Sequence, residues 1–203
     1  MFRRIEIVSI IIFLNVVVFL FWNFSSQEDD SFMAKNFLVS WDALIEGRIW
    51  TLFTSVFSHI AFFHIFLNMF VLRSFGSVIE YVLGRKLFLL FYLIAGIISS
   101  LSHSLVSLFF LDQPELPALG ASGAVSGIVL LFSLMFPREK ILLLGFIPMP
   151  ALLGAILFIG IDLWGVLLQS WGGGFPIGHG AHLGGAFTGL FYYFFLILPR
   201  RKT

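Results

Sequence analysis

A serine and a histidine lie in two glycine-rich segments, and their residue types could carry out acyl transfer. Ser122 lies in the sequence Gly-Ala-Ser-Gly, and His182 lies in Gly-Ala-His-Leu-Gly-Gly. An imidazole that hydrogen-bonds a serine hydroxyl can take its proton and activate the oxygen for attack on a carbonyl carbon. The alternatives at this point are a serine that only bonds a backbone carbonyl of its own helix and a histidine that is only a packed polar residue.

Glycines around both residues favour a close approach of the two helices that carry them. Gly120 and Gly123 flank the serine, so its hydroxyl and backbone N–H are presented at a helix start. Gly123 and Gly127 share one helix face, and Gly185 and Gly189 share a face of the other helix. Small residues at this spacing let two helices pack closely. The glycines therefore predict that the serine and the histidine can meet.

Ser122 and His182 are predicted to lie at similar depths in the membrane, which agrees with a contact between them. Ser122 lies three residues after Leu119, and His182 lies four residues after Gly178, where the two helices are expected to begin. At 1.5 Å per residue, both side chains are ~5–6 Å from the outer helix ends. A site at this depth, near the outer side, is predicted.

His64 and Asn68 form a second polar pair on one face of a helix, because four residues separate them. Both side chains can donate hydrogen bonds. Together with the backbone N–H of Ser122 they could hold the oxyanion of a tetrahedral intermediate. The alternative is a polar clamp between two helices.

The composition requires a membrane environment for these residues. Hydrophobic residues make up 59% of the 203 residues, charged residues only 11%, and the mean hydropathy is +1.02. A soluble domain of this size could not hide so much apolar surface. Apolar runs near the ~20 residues that cross a bilayer as a helix occur at about 5–22, 51–72, 86–111, 119–136, 141–169 and 178–198, and the fifth predicted span is 147–169. The prediction is a single domain over residues 1–203, an all-α membrane protein with a bundle of six transmembrane helices.

The basic residues predict the orientation of this bundle. If the N-terminus with Arg3 and Arg4 is cytoplasmic, the six spans leave only Lys35 and Arg48 among the 12 basic residues on the outer side. The other cytoplasmic residues are Arg73, Arg85, Lys86, Arg138, Lys140, Arg200, Arg201 and Lys202. Both termini are therefore expected in the cytoplasm of a prokaryotic cell. No basic patch remains to bind nucleic acid, so no nucleic-acid partner is expected.

A metal- or haem-binding membrane protein is a competing interpretation of the histidines. The chain has five histidines and no cysteine, which excludes a disulfide framework and a thiol nucleophile. The histidines are scattered over three helices and lack paired ligands at i and i+4 on facing helices. We therefore expect neither a metal nor another cofactor.

A longer pattern of residues links these motifs. Residues 47–59, Gly-Arg-Ile-Trp-Thr-Leu-Phe-Thr-Ser-Val-Phe-Ser-His, lead into His64 and Asn68. Similar spacing continues through Phe75, Gly76, Glu80, Gly84, Phe88, Tyr92, Gly96, residues 120–123, residues 181–185 and Gly189. Over about residues 47–190 the chain resembles the rhomboid intramembrane serine proteases. In these, a tryptophan-bearing outer loop precedes a His-x4-His-x3-Asn helix, and the glycine-framed serine and histidine follow.

The resemblance implies a six-transmembrane-helix rhomboid-type bundle and a Ser122–His182 dyad without a carboxylate third member. Asp162 is the only acid well inside a predicted span, and we expect it to make a structural polar contact. The matching family position implies a structural role for His59. His179 lies near the site and is expected to hold water or brace the loop, whereas His103 receives no role.

The resemblance also corrects the second span. A helix that began at residue 51 would place His64 ~20 Å below the outer surface, far from the serine, whereas a start near His59 places it at ~8 Å. The second span is therefore about 59–80 and the outer loop 23–58.

Two residues depart from the family pattern: Thr51 replaces an arginine, and Ser126 replaces an aromatic residue that packs on the catalytic imidazole. Other neighbours must then orient His182.

The function that the resemblance implies is hydrolysis of peptide bonds in or near transmembrane segments by a serine endopeptidase. The expected partners are the lipid bilayer and transmembrane protein substrates with a single span. The alternative is a catalytically inactive rhomboid-like protein that binds membrane helices, although such proteins usually lack the serine or the histidine that this chain keeps.

Overall fold

The computed structural model describes residues 6–24, 31–143 and 147–199. Five of the basic residues behind the predicted orientation lie outside these ranges, namely Arg3, Arg4, Arg200, Arg201 and Lys202. The predicted helical membrane bundle is confirmed.

Five helices among the described residues are long and apolar enough to cross a membrane. They are α1 (Ile7–Phe24), the continuous helix Phe62–Leu83, α7 (Arg85–Phe109), α9 (Ala151–Ser170) and the helix His179–Ile197. Phe62–Leu83 consists of α5 (Phe62–Val71), a π-helical turn (Leu72–Gly76) and α6 (Ser77–Leu83). His179–Ile197 consists of α10 (His179–Tyr192) and a π-helical turn (Tyr193–Ile197).

The sixth apolar helix, α8 (Ser122–Met135), is shorter than the others, so the predicted count of six is not confirmed. Its 14 residues rise about 21 Å. The predicted span began at 119, but Gly120 has φ +124°, which is incompatible with a helix. The helix therefore begins at Ser122.

The outer loop contains several short helices. These are α2 (Phe32–Phe37), α3 (Trp41–Ile45), α4 (Thr51–Thr54) and a 3₁₀ turn (Ser55–Phe57). Ser31 and Ser40 cap the first two of these by accepting backbone N–H bonds. An isolated antiparallel bridge joins Val39 to Ala118, so this segment is tied to the chain that leads into α8.

A β-hairpin precedes α9 where the sequence analysis expected the fifth span. Strand β1 (Lys140–Leu143) pairs antiparallel with β2 (Ile147–Pro150), and α9 begins at Ala151. Pro148 and Pro150 disfavour the helical conformation at the residue before each of them. The predicted span 147–169 therefore starts four residues too early.

At the end of the bundle opposite the outer loop, a buried carboxylate caps the first helix. The Glu80 oxygens accept the backbone N–H groups of Ile7 at 2.8 Å and Val8 at 2.9 Å. These N–H groups have no partner within α1 because they belong to its first turn. Arg73 extends to the same end and pairs with Glu6. The contacts join the first membrane helix to the helix that carries His64.

Candidate active site

The structure brings Ser122 and His182 into hydrogen-bonding contact. Ser122 is the first residue of α8 and His182 lies in the first turn of α10. The serine Oγ lies 3.0 Å from Nε2 of the imidazole. A distance of 3.0 Å and the chemistry of the two groups suit proton transfer from the hydroxyl to the ring.

Glycines allow this contact because α8 and α10 touch through their backbones. A Cβ atom at Gly185 would collide with the carbonyl oxygen of Gly123, and one at Gly189 would collide with that of Gly127. A Cβ at Gly127 would lie 2.7 Å from the carbonyl oxygen of Gly185. No larger residue fits at these positions without moving one helix away from the other. The interface therefore sets the distance between serine and histidine.

Gly120 is required for a different reason. Its positive φ is rarely adopted by residues with a side chain. A Cβ there would also lie 2.7 Å from Cε1 of His64. The imidazole of His64 thus packs directly against the turn that precedes Ser122.

His64 and Asn68 line the same cavity as Ser122 and His182. The Asn68 amide donates one hydrogen bond to the His64 carbonyl at 2.9 Å, which leaves its second N–H to face another acceptor. The first N–H groups of a helix have no partner within it, so the Ser122 N–H points out of α8. The three potential donors thus belong to residues that line one cavity. The predicted oxyanion role remains a prediction.

The cavity has a volume of about 810 Å³ and extends along the helices. Its lining includes Pro117 and Gly178 beside the outer loops, and Ile141 and Leu142 of the hairpin. Residues of α5, α8 and α9 form its walls. An extended peptide could therefore lie alongside these helices and still reach the serine.

Asp162 on α9 contacts His182 directly, which contradicts the expected absence of a carboxylate beside the proposed dyad. Its Oδ1 accepts the Nδ1–H of His182 at 2.9 Å and the Nδ1–H of His179 at 2.7 Å. A depth counted from the outer end of each helix would place the two residues apart. Asp162 lies ~12 Å below Ser170 at the end of α9, whereas His182 is less than one turn into α10. The two depths are not comparable, because α9 extends outward beyond the start of α10. A lone acid inside a span was the available signal.

Phe158 is a second neighbour of His182 that was not predicted from the sequence. Its ring centroid lies 5.4 Å from that of His182, and the rings are inclined by 30°. Phe158 and Asp162 share one face of α9, since four residues separate them. At position 126, where an aromatic residue was expected, Ser126 donates to the Ser122 carbonyl at 2.8 Å. Support for the imidazole therefore comes from α9.

The remaining histidines bond to other parts of the chain. His59 is buried, and its Nε2 accepts the Ala121 N–H at 3.4 Å. Its ring meets that of His64 edge to face, with 4.8 Å between centroids. His103 Nε2 donates to the Leu116 carbonyl at 3.1 Å. These contacts hold the chain that leads into Ser122.

One group of possible metal ligands occurs among the described residues. Asp162, His179 and His182 each offer one ligand atom, and these atoms lie within 4.8 Å of one another. A carboxylate oxygen and two imidazole nitrogens form a ligand set that zinc accepts. However, the Asp162 Oδ1 already accepts a hydrogen bond from Nδ1 of each of the two histidines.

Comparison with known proteins identifies several mitochondrial relatives. Over 193 residues the chain is 37% identical to "RHOMBOID-like protein 12, mitochondrial" of Arabidopsis thaliana, covering 89% of this chain and 55% of that protein. It is 35% identical to "Rhomboid protein 1, mitochondrial" of Saccharomyces cerevisiae, with 90% and 51% covered. It is 34% identical to "Presenilin-associated rhomboid-like protein A, mitochondrial" of Danio rerio, with 90% and 45% covered. The chain spans about half the length of these relatives.

The names of these relatives contradict the predicted location. A prokaryotic cell membrane, with the termini in a bacterial cytoplasm, is wrong, because the relatives are mitochondrial proteins of a plant, a yeast and a fish. The distribution of basic residues between the two sides of a membrane predicts the orientation of the helices. It does not indicate in which cellular membrane the protein lies.

The family itself is established by a match that includes every part of the site. The model of the Rhomboid domain matches residues 46–199, which contain the serine, the histidine and the helix with His64 and Asn68. With this match and relatives at 34–37% identity over most of its length, the chain belongs to the rhomboid family.

Proposed function

We propose that this protein is a serine endopeptidase that hydrolyses peptide bonds in or near transmembrane segments. The observation that carries the proposal is the 3.0 Å hydrogen bond between Ser122 Oγ and His182 Nε2 within a cavity large enough for a peptide. Family membership supports the same reaction, because rhomboid proteins are in general intramembrane serine proteases.

The reaction proceeds in two stages. His182 takes the hydroxyl proton as Ser122 Oγ attacks the scissile carbonyl, and the C=O electron pair becomes the oxyanion. The imidazolium then gives its proton to the leaving amine as the C–N bond breaks. Water, deprotonated by the same ring, then attacks the acyl carbon, and the ring returns that proton to Ser122 Oγ as the ester C–O bond breaks. His64, Asn68 and the Ser122 N–H donate to the oxyanion in both stages.

The substrates that suit this site are membrane proteins with a single span. A helix satisfies its own carbonyls, so a bond can be cut only where the segment unwinds. Glycine, proline or another weak helix former near the depth of Ser122 should mark good substrates. Lateral access between α5 and α9 suits such a segment, because residues of both helices line the cavity.

We also propose a mitochondrial membrane as the location, because the curated relatives from three kingdoms carry that location in their names. The competing function is a catalytically inactive protein that binds membrane helices. Relatives named only as rhomboid-like leave that function open. The inactive protein would bind a transmembrane substrate without cleaving it.

Covalent labelling decides between these two functions. The purified protein in lipid vesicles is treated with a fluorophosphonate probe and, separately, with a single-span substrate. Wild type should be labelled and should cleave the substrate, whereas Ser122→Ala should do neither. The matched control is Ser133→Ala in the same helix, since the Ser133 hydroxyl only donates to the Val129 carbonyl at 2.7 Å. An unlabelled wild type, or a Ser122→Ala variant with full turnover, contradicts the protease.

A further inference from the structure

The buried carboxylate on α9 has a place in the reaction that a serine–histidine dyad does not include. We infer that Asp162 is the positioning residue of His182 and that His179 in turn holds Asp162, so that the site works as a serine–histidine–aspartate triad. This inference rests on the proposed protease activity.

The hydrogen bonds select one tautomer of the base. A carboxylate only accepts, so the 2.9 Å contact between Asp162 Oδ1 and His182 Nδ1 requires the proton on Nδ1. Nε2 then carries the lone pair that faces the Ser122 hydroxyl at 3.0 Å. In the other tautomer Nε2 would carry a hydrogen and could not take the serine proton. Asp162 thus keeps the ring in the form that acts as a base.

The same helix also restricts the tilt of the ring. Phe158 packs against the His182 imidazole, one helical turn from Asp162. The hydrogen bond limits rotation of the ring, while the aromatic contact limits its tilt. Both contacts originate from α9, which therefore replaces the aromatic neighbour that Ser126 does not provide.

A buried carboxylate needs partners of its own, and His179 provides one. Asp162 is only 2% exposed, so donors within the protein must replace its lost hydration. His179 Nδ1 donates to the same Oδ1 at 2.7 Å. The His179 ring cannot shift toward α9, because it packs so closely against Gly165 that a Cβ there would collide with it. His179 therefore keeps Asp162 in place when His182 moves toward the substrate.

When His182 takes the serine proton, a positive charge forms 2.9 Å from a carboxylate that is shielded from solvent. Charge that develops in the transition state is stabilised strongly by a preorganised opposite charge in such a site. The stabilisation by Asp162 should appear in kcat, because Asp162 is not among the described residues that line the cavity.

The experiment measures kcat and KM for cleavage of a single-span substrate in lipid vesicles. Asp162→Asn removes the charge and should lower kcat about 100-fold or more with KM nearly unchanged. Asp162→Glu keeps the charge at a displaced position and should recover part of kcat. The matched control is Glu80→Gln, a buried carboxylate at the other end of the bundle, which should keep kcat. Thermal unfolding of each variant checks that it is folded.

A double-mutant cycle tests the part played by His179. His179→Asn should lower kcat less than Asp162→Asn does. If His179 acts through the carboxylate, the double variant should be no slower than Asp162→Asn alone. Independent, additive losses in kcat would contradict that part of the inference. If Asp162→Asn does not fold, Asp162→Glu and His179→Asn still test the inference. Wild-type kcat in both of these folded variants would overturn it.

Two further outcomes separate this inference from its alternatives. Full kcat in folded Asp162→Asn, together with an inactive Ser122→Ala, would overturn the triad and leave the protease intact. Loss of wild-type activity in EDTA that zinc restores would mean that the three side chains hold a metal, and it would overturn the positioning role. We expect EDTA to have no effect.

Discussion

Replacement of Gly127 by alanine should separate the two helices that carry the serine and the histidine. The added Cβ would lie 2.7 Å from the Gly185 carbonyl oxygen. Ordinary contacts of this kind start near about 3.4 Å, so the helices must move apart by about 0.7 Å. The backbone of Gly185 cannot yield locally, because it already touches α8 at Gly123.

The movement should be transmitted to the site, which lies less than two helical turns away. If it were transmitted in full, the 3.0 Å bond between Ser122 and His182 would lengthen to about 3.7 Å, beyond hydrogen-bonding distance. Misplacement by about 1 Å can cost ~100-fold in rate. We therefore expect Gly127→Ala to lower kcat by about 10- to 100-fold.

The assay compares initial rates of substrate cleavage in vesicles with the rate of fluorophosphonate labelling. Gly160→Ala on α9 is the matched control, because a Cβ there meets nothing within 4 Å. It should keep full activity, and its thermal stability should stay equal or rise slightly, as alanine is the better helix former. Wild-type rates in Gly127→Ala at unchanged stability would refute the proposed coupling between helix packing and catalysis.

Three other perturbations test separate parts of the molecule. His64→Ala and Asn68→Ala should each lower kcat by ~10-fold or more, because each removes one oxyanion donor; changes confined to thermal stability would instead favour a structural clamp. A disulfide between engineered cysteines at the outer ends of α5 and α9 should suppress cleavage of transmembrane substrates and recover on reduction, and an intact cross-link without effect would argue against lateral access. The natural chain has no cysteine to interfere. Glu80→Gln should reduce the free energy of unfolding by ~1–3 kcal/mol, because a charged acceptor for Ile7 and Val8 is weakened; an unchanged denaturation midpoint would contradict this.

Local pattern explains the features that were predicted from the sequence. The apolar runs identify a helical membrane bundle, since lipid leaves backbone groups no partners outside the helix. Glycines at i and i+4 mark the faces where α8 and α10 touch. Spacing and residue types single out Ser122 and His182, which the fold places 3.0 Å apart. These features depend on residues close together in the sequence or on one helix face.

Other features were wrongly predicted because they depend on conformation at a few residues. The paired strands 140–143 and 147–150 lie along an apolar run, where Pro148 and Pro150 disfavour a helix. The short α8 results from the positive φ of Gly120. The prokaryotic location was wrong because the residues that orient a helix do not specify the membrane.

By itself the sequence determined the class of fold and the family resemblance, and it singled out Ser122 and His182 as the proposed nucleophile and base, because helical periodicity and motif spacing are properties of the chain alone. Only the tertiary structure decided that Asp162 and Phe158 contact His182. Their contact depends on how far α9 is displaced along its axis relative to α10. Packing of the whole bundle sets that displacement, and no spacing within either helix encodes it.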